Sequence, residues 1–407
     1  MSCRRRVVRK RTLCKRPQHA ALRALAGMKP RRFFEDVFER DPRVLGSPES
    51  QDLASALGEW PAFLVNCAAA RDKQALLVMK DQTPANGSYD SVEAAWLDGC
   101  SFIINHFENF DAKVHALCRQ LRRDVPHAYV NAYATPARGK AVEAHADDRD
   151  VLVLQLSGSK KWKVYAEPPV RLPYFHEQAG KAGQPIPETT FDDVALDITL
   201  QAGGVLYMPR GYVHEAETRS DEASLHLTIA LATAEWSWEN VIASAGLERN
   251  GASDAFWEFL KRKAVPRAFS SKCSVSDQEE EAARCMSRTV ADVAAAYDAQ
   301  MRGVNAQQDA SRPLLSFGAG PEFVRRRRSD DPPQLQASAA GGVLARDELA
   351  DHIPIVVASV TAAAATRVAD FEEAPCFCSL SKLCLARLCV DLGLFVACDA
   401  EANYIDL

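Results

Sequence analysis

The sequence predicts a mainly β core with helical flanks, followed by a smaller C-terminal unit of helices and a β-ribbon. Three observations lead there. From Tyr129 to Ala230 the chain runs through short segments rich in β-branched and aromatic residues, each closed by Gly or Pro. No helical pattern lies between them, which indicates an antiparallel sandwich or barrel rather than a parallel α/β sheet. Beyond residue 238 the composition turns helical, and the last 65 residues alternate helical patterns with one apolar ribbon.

Taken in order, residues 1–34 carry twelve Lys or Arg and no acid, while the rest of the chain has 37 basic against 54 acidic residues. A basic disordered tail over 1–32 on an acidic body is expected. The cluster from Arg4 to Arg11 suits a nuclear or nucleolar address, with a mitochondrial leader as the alternative. Phe33 to Pro42 reads as an amphipathic helix closed by proline. Ala62–Ala70 is open between strand and buried helix, and Ala112–Arg123 has helical spacing through Val114, Leu117 and Leu121.

The predicted strands are Tyr129–Tyr133, Val151–Leu156, Lys161–Tyr165, Ala195–Leu200, Gly204–Met208 and Leu225–Ala230. Helices are expected around 256–262 and 277–300. Arg325–Arg328 and the Ser/Ala/Gly stretch after it read as an exposed connector. Helical patterns around Leu344–Ala350, Val356–Ala369 and Leu380–Leu392, then Leu394–Cys398 with Tyr404 and Ile405, suggest a winged-helix-like end. The expected divisions are a tail over 1–32, a catalytic domain over 33–238, a helical segment over 239–320, a linker over 321–342 and the terminal unit over 343–407.

At 407 residues the chain has ample length for two or three domains. No apolar run approaches the roughly 20 residues needed to cross a bilayer, so no membrane partner is expected. The 12 cysteines are scattered among apolar neighbours and read as reduced thiols of an intracellular compartment. Cys376, Cys378, Cys384, Cys389 and Cys398 lack paired zinc spacing and suit buried positions. Residues 341–407 hold four basic residues against ten acids, the wrong sign for phosphate binding, so direct DNA binding is not expected there.

The chemistry centres on His145-Ala146-Asp147 and on His214 in the run Leu206 to His214. Two imidazoles and one carboxylate form the facial ligand set that holds Fe(II) and leaves positions open for a chelating co-substrate and O₂. On a strand, residues i and i+2 share a face, so His145 and Asp147 can act together with Ala146 turned away. The Pro209-Arg210-Gly211 turn can then aim His214 at them. Alone the triplet is a weak motif, and Asp147, Asp148 and Asp150 equally suit a solvated acidic loop.

The flanking sequence decides between these. Asn131 to Pro136, His145 to Asp148, Leu154 to Tyr165, Leu206 to Ala216 and Ser224 to Thr228 together resemble the JmjC-domain 2-oxoglutarate oxygenases. The likeness is strongest to the branch that hydroxylates histidines of ribosomal proteins, and it reaches from about residue 33 to 240. The resemblance implies a double-stranded β-helix (cupin-like) core in which His145, Asp147 and His214 bind iron. It implies that Lys160, two residues after Gly158, pairs with the distal carboxylate of 2-oxoglutarate. Lys161 is the competing candidate, and it points the other way.

Asn131, Tyr133 and Thr228 are expected to line the co-substrate pocket, with strand packing as the alternative for the first two. His226 is expected to be a satisfied core histidine, and Arg210 either shapes the turn or touches substrate. Two positions depart from the family pattern: Ala146 stands where an aromatic is usual, and Gly204 where an acid is usual. The implied cofactors are Fe(II), 2-oxoglutarate and O₂. The implied partners are a basic protein substrate, ribosomal or alternatively histone, and a second copy of the chain. Histone lysine demethylation and a non-catalytic scaffold are the alternative functions.

Overall fold

The computed structural model describes residues 20–181, 183–218, 221–231, 233, 237–240, 262–264, 299, 302–310, 323–328, 360, 361, 363–371, 379–391 and 394–402. Two antiparallel sheets face each other. The larger contains, in spatial order, β1 (Arg43–Leu45), β9 (Val205–Met208), β6 (Asp150–Ser157), β11 (Ser224–Leu231), β5 (Ala128–Thr135), β4 (Ser101–Ile104), β2 (Leu76–Lys80) and β3 (Thr83–Pro84). The smaller contains β10 (His214–Glu217), β7 (Ser159–Tyr165) and β8 (Val194–Gln201). The strand pattern predicts two antiparallel sheets of this kind, and the resemblance implies their cupin-type arrangement.

Strand β5 shows how the sequence builds both sides of the large sheet. Ala128, Val130, Ala132 and Ala134 are fully buried on its outer face, against a cluster that includes Leu22, Leu25, Phe63, Phe107 and Leu117. Tyr129, Asn131 and Tyr133 turn inward. The small outer alanines let helices lie close, and the helices close that face: α1 (Ala20–Ala26), α2 (Pro30–Asp36), α3 (Pro48–Leu57), α4 (Trp60–Asp72), α5 (Val92–Leu97) and α6 (Ala112–Leu121). Between the sheets, Val151, Val153, Trp162, Val164, Leu206 and Met208 form a second cluster.

Helix α3 is locked by a reciprocal cap between Ser47 and Ser50. The Ser50 hydroxyl also donates to the Gly203 carbonyl at 2.7 Å, tying the helix to the β8–β9 turn. Ala62–Ala70, left open above, is helical within α4, because its apolar residues run too long and too continuously for the half-buried strand alternative.

Three expectations change. The basic tail gives way to structure from residue 20: Ala21, Leu22, Leu25 and Ala26 make a buried helical face beneath the charge. The Arg325–Arg328 connector begins as β12 (Phe323–Arg326), the central strand of a three-stranded sheet with β13 (Thr366–Arg367) and β14 (Phe395–Cys398). There Arg325 is buried, and its guanidinium donates to the Ala402 carbonyl at 2.9 Å. The helical pattern over Val356–Ala369 ends instead in β13 and a 3₁₀ turn at Val368–Asp370.

The Ser379–Asp391 helix agrees with its pattern and packs on α5, where Arg387 meets buried Glu93 at 3.2 Å. Helical residues 302–310 also return to the barrel: Arg122 pairs with Asp309, and the Gln308 amide donates to the Ala128 carbonyl at 2.8 Å. Cys67, Cys100, Cys118, Cys384, Cys389 and Cys398 are buried thiols, and burial pushes Cys389 up to about 12. Cys376, Cys378, Tyr404, Ile405 and the helices expected around 344–350 lie outside the described residues, as do those around 256–262 and 277–300 except residues 262 and 299. Among the described residues, no helix is long and apolar enough to cross a membrane.

Candidate metal and co-substrate site

The two histidines of the triad meet backbone to backbone. The His145 amide donates to the His214 carbonyl at 3.1 Å, and the reverse bond is 2.9 Å. This reciprocal antiparallel pair places the rings 4.5 Å apart, edge to face. Asp147 is brought alongside by two further bonds. Ala146 donates to the Ala179 carbonyl, and Gly211 donates to the Asp147 carbonyl, both at 2.8 Å. The segment is therefore an extended loop pinned on both sides, with only the His145 bridge where a regular strand was expected.

The ligand atoms converge: one from each of His145, Asp147 and His214 lies within 4.8 Å of the others. His145 Nε2 is 3.8 Å from Asp147 Oδ1, and His214 Nε2 is 3.8 Å from Oδ2. On the far side of each ring, Nδ1 meets a backbone carbonyl, Glu143 at 2.7 Å and Tyr212 at 3.0 Å. A carbonyl can only accept, so each Nδ1 carries the hydrogen and each Nε2 presents its lone pair. Burial, with the neighbouring His214 and Lys181, lowers His145 to about 3, and burial also lowers His214. For Asp147 burial opposes charge, yet the Lys181 ammonium and the two histidines hold its carboxyl below the usual range. Two neutral imidazoles and one carboxylate are the donor set that suits a divalent first-row metal.

A cleft runs inward from this triad between the sheets. Tyr133, Val151, Val153, Lys160, Trp162, Met208, His226 and Thr228 line it. Lys160 is 2% exposed, and its ammonium donates to the Thr135 hydroxyl at 2.9 Å. Among the described residues it has no carboxylate partner, and burial pushes it down to about 7. Gly158 makes this placement possible. Its φ is +62°, and a Cβ there would come within 2.1 Å of the Ala223 carbonyl oxygen. Lys161 faces the other way and pairs with Asp197 on β8.

Of the remaining expected residues, Tyr133 and Thr228 line the cleft and Asn131 does not. The Asn131 side-chain oxygen accepts from the His106 amide at 3.1 Å. His226 is buried and stacked on Tyr133 at 4.9 Å, but among the described residues its Nδ1 has no hydrogen-bond partner, which departs from the satisfied histidine expected. Arg210 does not reach the cleft. It is 1% exposed and pairs with Glu39 at 2.8 Å beside Asp150, holding the turn before His214. Ala146 is turned away from the cleft into a small cluster with Ala179, Val213 and Tyr165. Sequence reasoning missed Lys181, whose ammonium lies 2.6 Å from Asp147 Oδ1. No period or motif marks it, because a separate loop delivers it.

Two facing antiparallel sheets enclosing a His-Asp-His cluster define a class, and residues 103–240 match the JmjC domain family. The chain is similar to the bifunctional lysine-specific demethylase and histidyl-hydroxylase NO66 of Drosophila persimilis, 37% identical over 142 residues, which are 34% of this chain and 20% of that protein. The Dictyostelium discoideum protein of the same description is 32% identical over 151 residues, 36% of this chain and 28% of its own length. The matched region is thus under a third of these relatives. Among solved structures, the Escherichia coli ribosomal oxygenase YcfD aligns over 90% of this chain and 98% of its own, at 17% identity and a TM-score of 0.38.

Proposed function

We propose that the protein is an Fe(II)- and 2-oxoglutarate-dependent protein hydroxylase that acts on a histidine of a basic ribosomal protein. The observation that carries this reading is Lys160. A buried ammonium with only a hydroxyl for company is costly unless an anion completes it. It lines the same cleft as the triad, which suits a short dicarboxylate reaching from the metal to the ammonium. The donor set fits iron, which would be held by His145, Asp147 and His214. When bound, iron with 2-oxoglutarate supplies the O₂ activation that couples loss of CO₂ from the 2-oxo acid to insertion of one oxygen atom into a C–H bond.

The chain's own residues do the rest. Lys160 and the Thr135 hydroxyl would fix the distal carboxylate. Tyr133, raised by burial and by the nearby Asp147 charge, stays a phenol and can donate a hydrogen bond without adding charge. His226, lowered by burial and by Lys160, stays neutral. Val151, Val153 and Met208 exclude water from the reacting centre.

The similarity to proteins described as both demethylase and histidyl hydroxylase supports a second reading, lysine demethylation of histones. Intact-mass analysis of ribosomal proteins incubated with the protein, Fe(II) and 2-oxoglutarate tests the first: a gain of one oxygen on histidine is expected. Formaldehyde release from methylated histone peptides, without such a gain, would favour the second. The same proposal includes a nuclear address in the basic N-terminal stretch, dimerisation through the 239–320 region and a winged-helix-like end.

A further inference from the structure

We infer that Lys181 is a resident competitor for the metal position: its ammonium neutralises Asp147 in the cation-free protein and is displaced when a divalent cation binds. This inference rests on reading His145, Asp147 and His214 as a metal site. Lys181 Nζ lies 2.6 Å from Asp147 Oδ1, the oxygen that also faces His145 Nε2 at 3.8 Å. Its charge therefore occupies the ground a cation would need.

The contact is built by the fold. The turn that carries Lys181 is tied to the triplet by the bond from the Ala146 amide to the Ala179 carbonyl. It closes on itself through Gly180 donating to the Gln184 carbonyl at 2.7 Å and Gln184 donating to the Lys181 carbonyl at 2.8 Å. Gly180 has φ +76°, and a Cβ there would come within 2.6 Å of the Ala144 carbonyl oxygen and 3.0 Å of His145 Cα. Ala146 is 1% exposed against Ala179, so a small residue at each position is what lets the turn seat against the ligand-bearing segment. The turn and the triplet form one packed unit that delivers a positive charge to Asp147.

Two opposed effects follow. Holding the carboxylate in place favours cation binding modestly, as one hydrogen bond does. Repulsion between an ammonium and a dication that share one carboxylate opposes it more strongly, even with solvent at the mouth. Removing the ammonium should therefore tighten binding, whereas a structural brace would weaken it when removed.

Cobalt(II) titration of the cation-free full chain, followed by calorimetry and by visible absorption, separates these. Lys181→Met is expected to bind cobalt at least about tenfold more tightly than wild type, and Lys181→Arg to stay within about threefold. Unchanged or weaker binding by a folded Lys181→Met, judged by circular dichroism, overturns the inference. A second readout uses wild type alone. Tryptic cleavage after Lys181, followed by mass spectrometry, should accelerate on cobalt addition as the side chain is freed, and no acceleration overturns displacement. His214→Ala keeps the two levels distinct. If it binds cobalt as wild type does, the metal-site reading itself fails. If it loses cobalt while Lys181→Met gains nothing, only the role of Lys181 fails.

Discussion

Two lysines meet this site in reversed surroundings: Lys160 lines the cleft, and Lys181 sits on the Asp147 carboxylate. Lys160 is 2% exposed, has no acid beside it among the described residues, and is pushed down to about 7 by burial. The Lys181 side chain is 40% exposed and sits directly on the Asp147 carboxylate. The first is a charge waiting for an anion, and the second an anion's partner in the place of a cation. The difference fits the proposed function: one lysine lacks an anion that a dicarboxylate would supply, and the other holds the carboxylate that a metal would need.

The largest effect that would break this contrast lies at the triad. His214→Ala removes one of the two neutral nitrogen donors and leaves His145 and the Asp147 carboxylate, so cobalt affinity is expected to fall by about a hundredfold or more. Calorimetry checks it, with circular dichroism as the folding control. Lys160→Met is expected to weaken 2-oxoglutarate by about a hundredfold while leaving cobalt affinity within about twofold, since truncating one partner of a buried charge pair costs roughly 2–5 kcal/mol. The same variant should melt higher in the absence of ligand. The folded Lys160 lies near 7 and the unfolded one near 10.5, so the unfolded state binds more protons between those values. The stability cost of Lys160 is therefore full below about pH 7 and fades as pH rises, and the gain in melting temperature should shrink with it.

Acidity sharpens the comparison further. An anion needs the protonated ammonium, so wild-type affinity for 2-oxoglutarate should be flat below about pH 7 and fall toward tenfold per unit well above it. Lys160→Met should lose that slope. The smallest effect is expected from Lys140, which meets Glu215 at 2.9 Å at the cleft rim with its side chain 27% exposed. Lys140→Ala should change stability by less than about 1 kcal/mol in a denaturant titration.

How much of this was legible in the sequence depends on where each signal lies. The barrel strands were visible because their inner and outer residues alternate, as in Ala128–Thr135. Strand β10 was not drawn as a strand: His214-Glu-Ala-Glu has no apolar alternation, and its pairing with β7 supplies the order. Helix α1 was hidden because the charge of its surroundings outweighed four buried apolar positions. Arg325 was read as exposed because a run of arginines ordinarily is, and only the fold reveals the Ala402 carbonyl that accepts from it. In the site, the triad and Lys160 came from local motifs in a recognised order. Lys181 and the Glu39–Arg210 pair did not, because their partners lie 34 and 171 residues away and no spacing rule connects them.

The proposed function requires that one cleft bind a divalent cation at His145, Asp147 and His214 and a dicarboxylate through Lys160. Calorimetric titration of 2-oxoglutarate into the manganese-loaded wild type and Lys160→Met at pH 6.5 and pH 8.5 tests it most directly. The expected result is tight binding by wild type at the lower pH, weaker binding at the higher, and weak, pH-independent binding by the variant. Equal affinity of the two proteins at pH 6.5 would contradict the account.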